Sequence, residues 1–158
     1  MKKLLWTIVC AAALLAAPVY AQSTSADMDM QILRDKIKAD KKVLVASNMQ
    51  LTDAEATAFW PIYDAYQNDL KAINARLGNA ILAYSDAYKA GPISDQTAKK
   101  FLDEAIAIDD AEAKLRKDYA AKLTASIPAA KAARYLQIET KIRAAIRYEL
   151  AANIPLVQ

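Results

Sequence analysis

The chain has 158 residues, no histidine, one cysteine and two glycines, with 21 basic against 18 acidic side chains. Without His, and with Cys10 lying inside an apolar leader, nucleophilic triads of the Ser-His or Cys-His kind and the usual zinc ligand sets are excluded from residue 22 onward. The two glycines, Gly78 and Gly91, open no phosphate-binding loop, so nucleotide hydrolysis through such a loop is excluded as well.

Residues 1–21 read as a secretory signal peptide. Lys2 and Lys3 form a positive start, Leu4 to Ala17 is apolar, Pro18 breaks the run, and Val19-Tyr20-Ala21 supplies a cleavage site after Ala21. The run is shorter than the roughly 20 apolar residues of a membrane-spanning helix. Cleavage leaves residues 22–158 as a single domain with 19 basic and 18 acidic side chains. Export without a remaining cysteine means a fold that rests on packing, not disulfides, and points to a bacterial periplasm.

Gln22 to Ala26 is polar. Asp27-Met28-Asp29-Met30 has thioethers that suit Cu(I), but two methionines make a poor site, and no metal is expected. A first helix is predicted from about Met28 to Met49, with Leu33, Ile37, Leu44 and Asn48 near one face. Thr52-Asp53-Ala54-Glu55 is a capping box that opens a second, longer helix. Its seam is Tyr63, Tyr66, Leu70, Ile73, Leu77, Ala80 and Tyr84, with a kink or restart expected at Pro61. From Pro61 to Tyr88 this helix would be about 42 Å long at about 1.5 Å per residue. Gly91-Pro92 ends it, and Ser94 caps a third helix carrying Phe101, Ala105, Ile108, Leu115, Tyr119 and Leu123 on one stripe. That helix stops near Ser126. Pro128 suits the first turn of a last helix, which places Tyr135, Ile138, Ile142 and Ile146 inward and ends before Pro155. The fold class is therefore all-α: an elongated antiparallel helical hairpin within a bundle of about four helices. So thin a bundle makes a homodimer or a client-binding groove physically reasonable.

Charge divides along the chain. Residues 51–112 carry 5 basic and 11 acidic side chains, and residues 113–158 carry 9 basic and 3 acidic. Either an acidic hairpin packs beside a basic closing helix, or a basic surface is offered to acidic or unfolded partners. Glu112 falls on the apolar stripe between Ile108 and Leu115, so its carboxylate needs an ion-pair partner or a route to water. Asp103-Glu104 and Asp109-Asp110 point about 100° apart on a helix and read as solvated surface, not as a general acid and base. Glu139 stands four residues before Arg143, the favourable order for a surface pair. Arg134 and Lys141 lie on one flank of the last helix and Arg143 and Arg147 on the other, which is no single stripe for nucleic acid. The cluster Phe59, Trp60, Tyr63 and Tyr66 must bury much aromatic area, either in the core or against an apolar partner.

Leu51-Thr52-Asp53-Ala54-Glu55, directly before Phe59-Trp60-Pro61, resembles the LTxxQ motif of the Spy/CpxP-like periplasmic stress proteins. Glu55 stands where that motif has Gln, and Leu123-Thr124-Ala125-Ser126-Ile127 is a degenerate second copy. The resemblance implies a helical cradle that dimerises and acts as an ATP-independent chaperone or envelope-stress sensor; with neither His nor Cys remaining, the metal-sensing branch of that family fits poorly. On this reading no enzyme activity, cofactor, nucleotide or nucleic acid is expected. Phe59, Trp60 and Tyr63 give apolar contact to unfolded or envelope proteins, and Arg134, Lys141, Arg143 and Arg147 steer charge. The alternative is a regulatory adaptor that binds the periplasmic domain of a membrane sensor.

Overall fold

A computed structural model describes residues 40–157. The leader, the Asp27–Met30 segment and the predicted start of the first helix with Leu33 and Ile37 lie outside the described residues. The chain divides into two compact units, Met1–Lys42 and Val43–Gln158. Of the first, residues 40–42 are described, and they are helical. The second contains no strand among its described residues and four helical segments: α1 (residues 43–49), α2 (Asp53–Ala90), α3 (Asp95–Ser126) and α4 (Ala129–Asn153).

Local chemistry sets the ends of these helices. Gln50 takes a positive φ of 51° just past the last helical residue of α1, the left-handed conformation in which helices commonly stop. Thr52 then caps α2 as the sequence predicts. The Glu55 amide donates to Thr52 Oγ1 at 3.3 Å, and the Thr52 amide donates to Glu55 Oε2 at 2.8 Å. Gly91, at φ 128°, ends α2 where a side chain would be strained. Ser94 caps α3, its Oγ accepting from the Thr97 amide. Pro128 precedes α4, and Pro155 follows it. With connections this short, α2, α3 and α4 alternate in direction, so α2 and α4 run parallel on the same side of the turn. The restart expected at Pro61 does not occur: α2 is one helix through it. Pro61 faces solvent, and the buried neighbours Phe59, Tyr63 and Tyr66 hold the helix on both sides of it.

The core gathers at one end of the bundle. Val45 and Met49 of α1, Phe59, Tyr63, Tyr66 and Leu70 of α2, Leu115, Tyr119 and Leu123 of α3, Ile127, and Ala132 and Tyr135 of α4 form a single cluster. Its rings meet edge to face: Phe59 with Tyr135 at 5.1 Å between centroids, Tyr66 with Tyr119 at 5.2 Å and Tyr66 with Tyr135 at 5.8 Å. Such pairs are each worth about 0.5–1.5 kcal/mol beyond the area they bury.

Two predicted faces are corrected. In α1 the buried row is Val45 and Met49, not Leu44 and Asn48. Both rows have helical spacing, and the one with two apolar members is buried, while Asn48 Nδ2 turns back to donate to Leu44 O. In α4 the inward face is Ala132, Tyr135, Glu139 and Arg143. Ile138 and Ile142 lie half-buried on its flank, and Ile146 is exposed. Small Ala132 suits a close approach beside the tight turn from α3. Farther along, the facing helices offer Gln67, Asn74 and Glu112, so charged and amide groups on α4 find partners inside.

Candidate functional site

A layer of polar side chains crosses the bundle above the aromatic core. Buried Glu112 of α3 is ion-paired with Arg143 and, at 2.6 Å, with Arg147 of α4. Arg147 also reaches Asp109, and Arg143 Nη1 donates to Asn74 Oδ1 of α2 at 2.9 Å. One turn lower, Gln67 Nε2 donates to Glu139 Oε1 and to Tyr135 Oη. Tyr119 Oη donates to Asp69 Oδ2 at 2.6 Å. Burial, with Glu139 nearby, raises the Tyr135 hydroxyl well above its ordinary range, and burial plus the bond to Asp69 pushes Tyr119 up to about 12. Burial lowers the Arg143 guanidinium, and the neighbouring Arg147 charge adds to the effect. Glu112 thus has the ion-pair partner that its place on the stripe demanded. Glu139, read as part of a surface pair, is instead buried against Gln67.

Beyond this layer burial ceases. Among the described residues none of α2 after Leu70, of α3 before Ile108 or of α4 after Arg143 is buried. Apolar side chains nevertheless continue there: Leu82, Leu102, Ile106, Ile146 and Tyr148 are 49% to 73% exposed. The parallel ends of α2 and α4 border an apolar groove of about 900 Å³. Ile81, Tyr84 and Tyr88 line it from α2, Ile146, Tyr148 and Leu150 from α4, and Ile154 and Pro155 from just past the end of α4. Tyr84 Oη donates to Pro155 O at 2.9 Å, and its ring packs edge to face on Phe101 of α3 at 5.4 Å. The walls are mostly hydrocarbon and phenol, with Ser85, Lys89, Glu149 and Asn153 as the polar groups on the lining. This surface can retain an apolar side chain by burial.

The residues predicted as a client surface fall into three separate groups and form no single surface. Phe59 and Tyr63 are 0% and 2% exposed and belong to the core, which leaves them no area for a partner. Trp60 is half-buried, its ring 5.0 Å from that of Phe59 and 5.3 Å from that of Tyr63. Arg143 is buried with its charge matched by Glu112, and Arg147 is tied to α3. Arg134 Nη1 points at Asn48 O at 3.4 Å, beside Lys131, which donates to Gln50 O, so both cations serve the carbonyl end of α1. Arg134 and exposed Lys141 share a small polar notch with Ser47, Asn48, Gln50 and Gln137. The opposite charges of the two stretches therefore meet across the helices, inside the fold at Glu112–Arg143, half-buried at Glu55–Lys131 and at the surface at Asp109–Arg147. Sequence reasoning allowed for a client-binding groove but did not place it. Its signal was the continuation of apolar residues on α2 beyond Leu70.

No protein-family model matches the chain, and neither a curated protein nor a solved structure matches it.

Proposed function

We propose that the protein is an exported, ATP-independent binding protein of the chaperone or stress-adaptor kind, holding apolar segments of unfolded or envelope proteins against its helices. The observation that carries this reading is the open end of the bundle, where a groove of about 900 Å³ is lined by Tyr84, Tyr88, Ile146, Tyr148 and Leu150. Large apolar side chains left in contact with water on one contiguous face mark a site that a partner covers. The leader-like start of the chain and the Leu51–Glu55 likeness to the Spy/CpxP-like motif support the compartment and the class. The contact area lies at the groove and not at the Phe59 cluster.

The test is suppression of aggregation. The protein should slow light scattering by a denatured client at near-stoichiometric ratio without nucleotide. The double variant Ile146→Ser/Tyr148→Ser should lose that protection and keep its helical circular dichroism, since both side chains are exposed. No protection by the unaltered protein at large molar excess removes this function.

One observation favours the adaptor reading. The groove, at about 900 Å³, is of the size that holds one defined ligand or segment. Affinity capture from envelope extract separates the two: one saturable partner supports the adaptor, many weak ones the chaperone.

A further inference from the structure

The groove has one wall that the rest of the fold holds weakly. From Ala144 to Val157 no side chain is buried, whereas each turn of α4 from Ala132 to Arg143 contributes a buried one. Four residues of this stretch, Ala144, Ala145, Ala151 and Ala152, are exposed alanines with little side chain to bury. The final turn of α4 has no basic residue to offset its carbonyl end, and extended Ile154 ends it, not a glycine. The helical part of the stretch, residues 144–153, is shorter than the roughly 12–15 residues that an isolated helix needs and is marginal without tertiary contact. The segment is fixed at its base by Arg143 and Arg147 on Glu112 and Asp109, and near its tip by the hydrogen bond from Tyr84 Oη to Pro155 O.

We propose that residues 144–157 open as a unit by local unfolding, releasing Arg147 from Glu112 and Asp109 while Arg143 stays paired with Glu112 and the aromatic core stays closed, with the Tyr84–Pro155 hydrogen bond as the latch. Segments with few buried contacts open at lower free energy than the core they extend, and binding surfaces are drawn from that end of the range. Opening removes the α4 wall and widens the groove; filling the groove supplies the apolar contact that keeps α4 helical to its end. The regulatory meaning rests on the groove being the binding site proposed above, but the opening itself is measurable with nothing bound.

Native-state hydrogen exchange on the whole protein tests it. Amides of residues 146–153 should exchange at least about tenfold faster than those of residues 136–143 in the same helix. Tyr84→Phe, which removes the latch and keeps the ring on Phe101, should speed residues 146–153 by a further factor of about three to ten. It should leave residues 63–70 and 115–123 unchanged. Uniform protection along α4, or acceleration of core and arm together in Tyr84→Phe, overturns the proposal. A reduced and alkylated, permanently unfolded protein is then added as the probe. Slowed exchange at residues 146–153 supports the coupling, and a probe that binds without slowing them overturns it. A probe that does not bind sinks the function proposed above, while the unliganded comparison still decides the opening.

Discussion

Glu112 is the residue whose removal should be felt most sharply. Its carboxylate neutralises Arg143 inside the bundle and Arg147 at its edge, so Glu112→Ala leaves a buried guanidinium without its counter-charge. Breaking a buried pair from one side costs roughly 3–5 kcal/mol. Urea denaturation should show that loss for Glu112→Ala, and the double change Glu112→Leu/Arg143→Met should recover most of it. A single-variant loss under about 1 kcal/mol would mean that Arg143 is solvated and the layer is not structural. Tyrosine ionisation gives a second expectation. Burial, with nearby carboxylates, pushes Tyr63 and Tyr119 up to about 12, and the unfolded value is about 10. A group with a raised folded value contributes stability that is complete below the unfolded value and lost as pH climbs through the folded one. Alkaline unfolding should therefore fall between about pH 10 and 12, with part of the tyrosinate absorbance appearing together with the loss of helix. At this scale the sequence was informative about need and silent about partner. That Glu112 required a cation followed from its place on an apolar stripe. That the cation is Arg143 depends on the axial register of α3 against α4, which no local pattern encodes.

The helices themselves were legible because their punctuation is local. Thr52 with Glu55, Gly91-Pro92, Ser94, Pro128 and Pro155 each act on backbone groups within a turn of themselves, and each lies at a helix boundary or flanks one. Thr52→Ala should accordingly cost about 1 kcal/mol, read as a shift in the denaturation midpoint. Pro61 lies in the interior of α2, exposed, where it removes a hydrogen bond without packing against the core. Pro61→Ala should therefore raise stability, by roughly 1–3 kcal/mol, and a loss of stability would show that the proline sets a bend the core depends on. The faces of the helices were less legible. In α4 the isoleucines at 138, 142 and 146 have the right spacing for an inward stripe, and a neighbouring row carrying Tyr135, Glu139 and Arg143 is the one that faces in. Apolar periodicity identifies the buried row when water is the alternative; here the alternative was a set of polar partners on α2 and α3, a tertiary fact.

Taken as a whole, the molecule has a graded interior: an aromatic end, an ionic middle and an open end where α2 and α4 border the groove. The hairpin architecture follows from long helices and short turns, and so was readable. The place of the groove was not, because an exposed face and a buried face of equal hydropathy look the same until the opposing helix is placed. Replacing exposed Leu82 and groove-lining Ile146 by Ser should leave the thermal midpoint within a few degrees, since both are already about half exposed or more, and under the function proposed above it should weaken retention of an unfolded client. A large drop in midpoint would mean these side chains belong to the fold and not to a partner surface. The absence of buried side chains beyond Leu70 on α2 and before Ile108 on α3 also has a calorimetric consequence. The heat-capacity increment of unfolding reports newly wetted hydrocarbon, about 12–15 cal/mol/K per residue in ordinary globular proteins. That part of the bundle keeps no fully buried side chain, so the increment per residue should fall below that range, and the stability curve should be correspondingly flat with temperature.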